Sequence, residues 1–272
     1  MNAIARTQLE SHIAGRFGQV FERQEKRPRE ILPTSIAEID QVWSGFPRGA
    51  ITELHGAASC GRTSMMLATL AAATANEETC ALIDCSDTFD LLSAASAGVS
   101  FERLLWVRGD HNLERTFKAV DLLLHGGGFG LVALNLADMP PLSLRRIIST
   151  WWFRFRRAIE NTPTVLLVMS PVACVRSCAA MTFELKHEGT AWPGFDSSRS
   201  REPEQPPVLR RAGPHLHLVA NHSLPVRVTH AQFLQASTIY VNRERPLVSS
   251  GSAIRFRAHS GIHEFPQIKR IT

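Results

Sequence analysis

Residues 56–63 have the composition and spacing of a loop that binds phosphate groups. Two glycines five residues apart precede a basic residue and a hydroxyl residue, and the positions concerned are Gly56, Ser59, Cys60, Gly61, Arg62 and Thr63. Glycines here let backbone N–H groups curl around a phosphate, and the N-terminus of a following helix adds a positive dipole end. The usual pattern has lysine where this chain has Arg62. The sequence therefore predicts a nucleotide-binding loop whose customary cation is replaced.

The segments around this loop predict the elements that must hold it. Residues 50–55 are predicted as a strand and residues 63–75 as a helix. Apolar strands then alternate with helices as far as Met169. The strands are predicted at 79–84, 104–107, 129–134 and 164–169, and the helices at 88–97, 113–125 and 142–160. This alternation predicts an α/β protein with a mainly parallel, doubly wound sheet that is covered by helices on both faces.

The predicted helix at 142–160 is amphipathic. Its core-facing stripe is predicted to be Leu144, Ile148, Trp151, Phe155 and Ile159. Its polar side carries Arg145, Arg146, Arg154, Arg156 and Arg157. Before it, residues 125–130 (HGGGFG) lie between a helix and a strand, which predicts a helix stop and a turn and not a second phosphate loop.

Both ends of the chain differ from this central region. Residues 5–26 are predicted as an amphipathic helix whose apolar stripe is Leu9, Ile13, Phe17 and Phe21. This helix either packs on the chain's own core or contacts a partner, and we expect the second. The predicted organisation is an N-terminal helix at 1–30, a core at 31–187, a flexible linker at 188–213 and a β-rich extension at 214–272. The extension contains β-like runs at 215–220, 238–242 and 253–258.

Composition narrows the classes of function. The chain contains no apolar run long enough to span a membrane and no secretion signal, so we expect a cytoplasmic protein without membrane contact. Its five cysteines form no Cys-x-x-Cys pair, which favours reduced thiols, and no histidine spacing suggests a metal site. Residues 186–272 carry 12 Lys and Arg against 6 Asp and Glu. This excess indicates either a solvated basic tail or non-specific contact with DNA or an acidic partner.

The order of motifs from residue 31 to residue 187 resembles the core of RecA-like proteins. The turn at 45–49 (GFPRG) and the run at 51–56 (ITELHG) lead into the loop as they do in that family. Residues 80–84 (CALID) resemble its second strand, and Asp90 and Leu104 fall at matching places. The resemblance implies a RecA-like fold in which Gly56–Thr63 is the Walker A loop.

Three positions depart from what the resemblance implies for an ATPase. Arg62 stands for the Walker A lysine, and the two side chains are not equivalent toward phosphate. Ser86 stands where the family has the glutamate that activates water, with Asp87 one residue on as a weak substitute. Asn135 stands where the Walker B strand ends in a Mg²⁺-binding aspartate, and Asp138 is three residues too late. The resemblance therefore implies no catalytic residue, no required cofactor and at most weak ATP or ADP binding.

Within RecA-like proteins the chain is most similar to the ImuA group. That resemblance implies an accessory factor in the SOS response to DNA damage and in mutagenic, error-prone translesion synthesis, acting through RecA, a Y-family-like polymerase homologue, or both. The recombinase DNA loops have poor counterparts here, because 137–142 is short and 171–180 carries only Arg176. Two alternatives remain: an active RecA/KaiC-like ATPase that uses Arg62, and a cell-division inhibitor of the SulA type.

Overall fold

The computed structural model describes residues 30–191, 236–246 and 253–259. The helix predicted at 5–26, with Leu9, Ile13, Phe17 and Phe21, lies outside the described residues. Most of the predicted linker and the β-like run at 215–220 also lie outside them. Among the described residues, no helix is both long enough and apolar enough to cross a membrane.

An eight-stranded sheet forms the centre of the protein. Its strands are β3 (Ala50–Gly56), β4 (Cys80–Asp84), β5 (Leu104–Arg108), β6 (Leu131–Asn135), β7 (Val165–Ser170), β8 (Ala179–Ala191), β9 (Ala236–Arg245) and β10 (Ala253–His259). The spatial order is β10-β9-β8-β3-β7-β6-β4-β5. Strands β8, β3, β7, β6, β4 and β5 run parallel, whereas β9 pairs antiparallel with β8, and β10 pairs antiparallel with β9. The predicted α/β class, the mainly parallel sheet and the C-terminal β extension are confirmed.

Helices cover both faces of this sheet, because strand side chains alternate between two apolar layers. The helices are α1 (Ala37–Trp43), α2 (Arg62–Ala75), α3 (Leu91–Ser96), α4 (Leu113–Gly126), α5 (Pro141–Arg145) and α6 (Ser149–Ile159). One layer contains side chains from α1, α2 and α3, and the other contains side chains from α4, α5 and α6. A two-residue hairpin pairing of β1 (Ile31–Leu32) with β2 (Phe46–Pro47) precedes β3.

The prediction of a single helix at 142–160 is wrong, because this segment forms two helices that are separated by a break at residues 146–148. Pro141 occupies the first turn of α5, and Ile148 has extended backbone angles (φ −68°, ψ 128°). Adjacent β-branched isoleucines have low helix propensity, which favours a break at this point. As a result Ile148, predicted to face the core, is 65% exposed, and Trp152 is buried in its place.

Two smaller boundaries also differ from the prediction. The helix predicted at 88–97 begins at Leu91, because the Asp90 carboxylate caps it by accepting from the Ser93 N–H at 2.8 Å. Strand β8 continues to Ala191, so residues 188–191 are strand and not the start of the linker. The predicted stop after α4 is present, with Gly127 at φ 67°.

Candidate functional site

The predicted phosphate loop connects the central strand β3 to the N-terminus of α2. Its outer residues, 57–59, are exposed, whereas Cys60 is buried in the apolar layer beneath α2. Ser59 and Gly61 take left-handed backbone angles, with φ of 59° and 94°. The first turn of α2 has neither a side-chain cap nor an acidic residue. The positive end of this helix is therefore uncompensated, as it is at helix termini that bind anions.

Close packing explains why glycine occupies both ends of the loop. A Cβ atom on Gly56 would lie 2.3 Å from the Leu185 carbonyl oxygen of β8 and 2.8 Å from the Cys60 Sγ atom. A Cβ atom on Gly61 would lie 2.2 Å from the Ile239 Cδ1 atom of β9. The loop is thus enclosed on one side by β8, which pairs with β3, and by β9, which pairs with β8.

Arg62 folds back into the loop and does not project into solvent. Its side chain is buried, with 6% of the residue exposed, and its Nη2 atom donates to the Ala57 carbonyl oxygen at 3.3 Å. Its Nη1 atom is buried and has no hydrogen-bond partner among the described residues. A buried cationic donor without an acceptor is costly. The loop interior therefore holds a positive charge that an anion would satisfy.

Asn135 and Asp84 end the neighbouring strands β6 and β4, and they contact each other directly. The Asn135 Nδ2 atom donates to Asp84 Oδ1 at 3.0 Å and to Thr88 Oγ1 at 3.2 Å. The second carboxylate oxygen of Asp84 accepts from the Phe89 N–H at 2.8 Å. Asp84 is fully buried and Asn135 nearly so. The amide of Asn135 therefore satisfies this carboxylate without a metal ion.

Neither Ser86, which replaces the expected glutamate, nor its possible substitute Asp87 is suited to activating water. Ser86 is buried, and its Oγ atom has no hydrogen-bond partner among the described residues. Asp87 is paired with Arg108, whose Nε atom donates to Asp87 Oδ1 at 2.6 Å. This hydrogen bonding holds the pKa of the Asp87 carboxyl below its usual value. A carboxylate stabilised in this way is a weak base.

Asn135→Asp is expected to lower the free energy of unfolding at pH 7 by about 3 kcal/mol, because it replaces a hydrogen bond with two buried carboxylates in contact. That contact raises the pKa of the introduced carboxyl in the folded state, so the folded protein binds more protons than the unfolded chain. The loss should consequently shrink between pH 7 and pH 5. Millimolar Mg²⁺ should also reduce it, since a divalent cation neutralises both carboxylates.

Urea unfolding at both pH values, with and without Mg²⁺, measures these differences. Asn112→Asp is the matched control, because Asn112 is an exposed N-cap residue of α4 where aspartate serves equally well. An Asn135→Asp protein as stable as the parent at pH 7 would show that this carboxylate–amide contact does not matter.

Glu53 holds the segment that follows β7, a role the sequence did not reveal. Its side chain is fully buried in β3, and Oε1 accepts from the Cys174 N–H at 2.6 Å and from the Val175 N–H at 3.0 Å. Burial raises the pKa of the Cys174 thiol, and the Glu53 carboxylate adds to the shift. The signal available in the sequence was a single carboxylate within an apolar strand.

The remaining predicted residues are placed as follows. Arg176 follows β7, and its guanidinium donates to the Arg145 carbonyl oxygen at 3.3 Å and to Ser149 Oγ at 3.4 Å. It therefore bridges the break between α5 and α6. Arg255 of β10 is paired with Glu188 at 2.6 Å. All five cysteines are free thiols in buried positions.

Comparison with known proteins gives similarity to the RecA N-terminal domain over residues 14–141, just under half of the chain. RecA of Ectopseudomonas oleovorans is 34% identical over 91 residues, which is 34% of this chain and 26% of that protein. RecA of Deinococcus radiodurans is 36% identical over 108 residues, which is 39% of this chain and 30% of that protein. The matched stretch thus spans less than a third of these relatives. The RadB recombinase structure superposes with a TM-score of 0.48 at 15% identity, covering 57% of this chain and 83% of that one.

Proposed function

We propose that this chain has a RecA-like core and is a non-catalytic accessory factor in the DNA-damage response and in error-prone translesion synthesis. It acts by binding RecA, a Y-family-like polymerase homologue, or both. Its loop at 56–63 is a degenerate nucleotide site that holds ATP or ADP weakly. In this proposal the protein has a RecA-like architecture and functions through contacts with other proteins and not through ATP hydrolysis.

The hydrogen bond between Asn135 and Asp84 is the observation that supports a non-catalytic role most strongly. Phosphoryl transfer needs a cation to neutralise the phosphates and a group to orient the attacking water. At the ends of β4 and β6 the Asn135 amide donates a hydrogen bond to the Asp84 carboxylate. The Asp87 carboxylate accepts one from the Arg108 guanidinium. Neither Asp84 nor Asp87 is therefore free to meet either requirement.

Arg62 supports weak nucleotide binding without turnover. A lysine at this position is a compact charge that reaches the phosphates, whereas the guanidinium is a broad fork. In this structure the Arg62 guanidinium already donates a hydrogen bond to the Ala57 carbonyl oxygen of the loop. A nucleotide has to displace that contact, yet it also provides the acceptor that Nη1 lacks.

We expect ATP turnover at the level of background phosphate release, because three groups of the reaction are replaced. The measurement is phosphate release by the purified chain, with and without single-stranded DNA, beside a RecA sample. Arg62→Ala is the control for contamination, since any true turnover depends on this residue. DNA-stimulated turnover comparable to RecA that disappears in Arg62→Ala would establish the alternative, an active ATPase.

Partner binding is expected to depend on the N-terminal helix. Its predicted stripe offers four large apolar side chains, each contributing roughly 1.5–3 kcal/mol when buried. Ordering and association consume much of this energy, so we expect micromolar to nanomolar affinity. The test is affinity capture of purified RecA and of the polymerase homologue by the full chain and by a chain lacking residues 1–27.

The deletion should abolish capture and leave the melting temperature nearly unchanged. Phe17→Asp, in the full-length chain, should weaken capture in the same direction. Unchanged capture with a sharply lower melting temperature would instead show that the helix packs on the chain's own core. Absence of capture by the intact chain would reject the accessory role itself.

A further inference from the structure

The break between α5 and α6 opens a groove against α4. The groove has a volume of about 330 Å³, and its apolar lining includes Leu113, Phe117, Ile147, Ile148 and Trp151. Phe117 and Trp151 form its floor, with ring centroids 5.8 Å apart in an edge-on arrangement. Phe117 is itself fixed by Trp152 and Phe155, at 5.1 and 5.5 Å. The floor is therefore a rigid aromatic surface.

The rim of the groove exposes large aliphatic side chains. Ile148 lines the groove at 65% exposure, and the partly buried Ile147 lies beside it. Single exposed apolar residues are ordinary on protein surfaces, whereas a cluster that borders a groove marks a contact site. An apolar side chain inserted between Ile148 and Trp151 would remove this surface from water.

Basic residues predominate on one wall of the groove. Residues 139–159 contain five arginines and no aspartate or glutamate. Arg146 lines the groove, and neither it nor Arg145 forms an ion pair with the described residues. The acidic group on the opposite wall, Glu114, is paired with Lys118 at 2.7 Å. The rim is thus positive and complements a negative ligand.

We propose that this groove binds an acidic peptide segment of a partner protein. A large apolar side chain of the segment packs on Phe117 and Trp151, and its carboxylates pair with Arg145 and Arg146. A nucleic acid satisfies the arginines but leaves Ile147 and Ile148 without an apolar partner, so the lining favours a peptide. The groove is formed by residues other than those of the predicted N-terminal helix, and the proposal does not depend on the role in translesion synthesis.

Fluorescence anisotropy on the full chain tests the proposal. The probe is a fluorescein-labelled heptapeptide in which two leucines and one phenylalanine alternate with four aspartates. We expect saturable, micromolar binding. Ile148→Glu and Arg146→Glu should each weaken it by about tenfold or more, because the first removes apolar contact and the second repels carboxylate. Leu92→Glu is the matched control, at a 73% exposed position on α3 outside the groove.

Several outcomes would overturn the proposal. Binding that is absent, equal for a lysine-for-aspartate peptide, or equally weakened by Leu92→Glu would exclude a specific acidic-peptide site. Single-stranded oligothymidine that displaces the probe, and whose own binding is lost in Arg146→Glu but kept in Ile148→Glu, would assign the rim to nucleic acid. Circular dichroism confirms that each variant is folded, and exposure of Ile148 and Arg146 makes unfolding unexpected.

Discussion

Gly56→Ala is expected to lower the free energy of unfolding by about 3 kcal/mol or more, through backbone strain and overpacking. The added Cβ atom would lie 2.3 Å from the carbonyl oxygen of Leu185, an atom of the strand paired with β3. A backbone atom within a sheet cannot rotate away as a side chain can. The chain must therefore separate β3 from β8 where the phosphate loop begins.

Gly126→Ala provides the matched control for this substitution. Gly126 ends α4, and a Cβ atom there meets nothing within 4 Å. Alanine has the higher helix propensity, so the control should be neutral or more stable by up to about 1 kcal/mol. Guanidinium unfolding of the three proteins measures both effects. A Gly56→Ala midpoint equal to that of the parent would show that the two strands separate at little cost.

Glu53→Ala is expected to destabilise the protein by a similar amount, roughly 3–5 kcal/mol. The substitution removes the acceptor of two buried N–H groups, those of Cys174 and Val175, and leaves a cavity inside the sheet. Glu53→Gln retains one acceptor oxygen, so it should cost clearly less. Glu102→Ala, at an exposed position in the turn before β5, should change little.

Hydrogen–deuterium exchange separates a local effect of Glu53 from a global one. In Glu53→Ala the amides of Cys174 and Val175 should exchange much faster, because they lose their acceptor while neighbouring strands stay paired. Urea unfolding measures the accompanying loss of stability. A loss below about 1 kcal/mol, with protection unchanged at these two amides, would mean that the carboxylate does not hold this segment.

The parallel strands could be predicted from sequence because each is a short apolar run bounded by turn residues. The strands predicted at 79–84 and 164–169 lie at Cys80–Asp84 and Val165–Ser170 in the structure, a difference of one residue. Helical periodicity was less informative, because the apolar stripe through Ile148 continues across the position where one helix ends and the next begins. Periodicity reports which residues share a helix face only if one helix is present, and the local stiffness of Ile147 and Ile148 decides that separately.

At the candidate site, too, the features that are local in sequence could be predicted and those that depend on tertiary packing could not. The loop at 56–63 could be recognised from two glycines and a helix pattern, because those features are local in sequence. The burial of the Arg62 side chain could not be recognised from the sequence, because it depends on packing around the loop. Contact of Gly61 with Ile239 joins residues far apart along the chain, and no local pattern encodes it. The hydrogen bond from Asn135 to Asp84 likewise follows from strand order, which places β6 beside β4.

The position of Ile239 has a consequence for how the protein is made. Strand β3 pairs with β7 and β8, and the side of the loop is closed by β9, so both sheet partners of the loop strand are synthesised long after it. At typical elongation rates roughly 10–40 s separate the emergence of Gly61 from that of Ile239. Once β8 has emerged, it remains an unpaired edge until β9 follows, which is a hazard for aggregation. The loop therefore reaches its final form among the last steps of folding, and nascent chains that end before β9 should depend on chaperones.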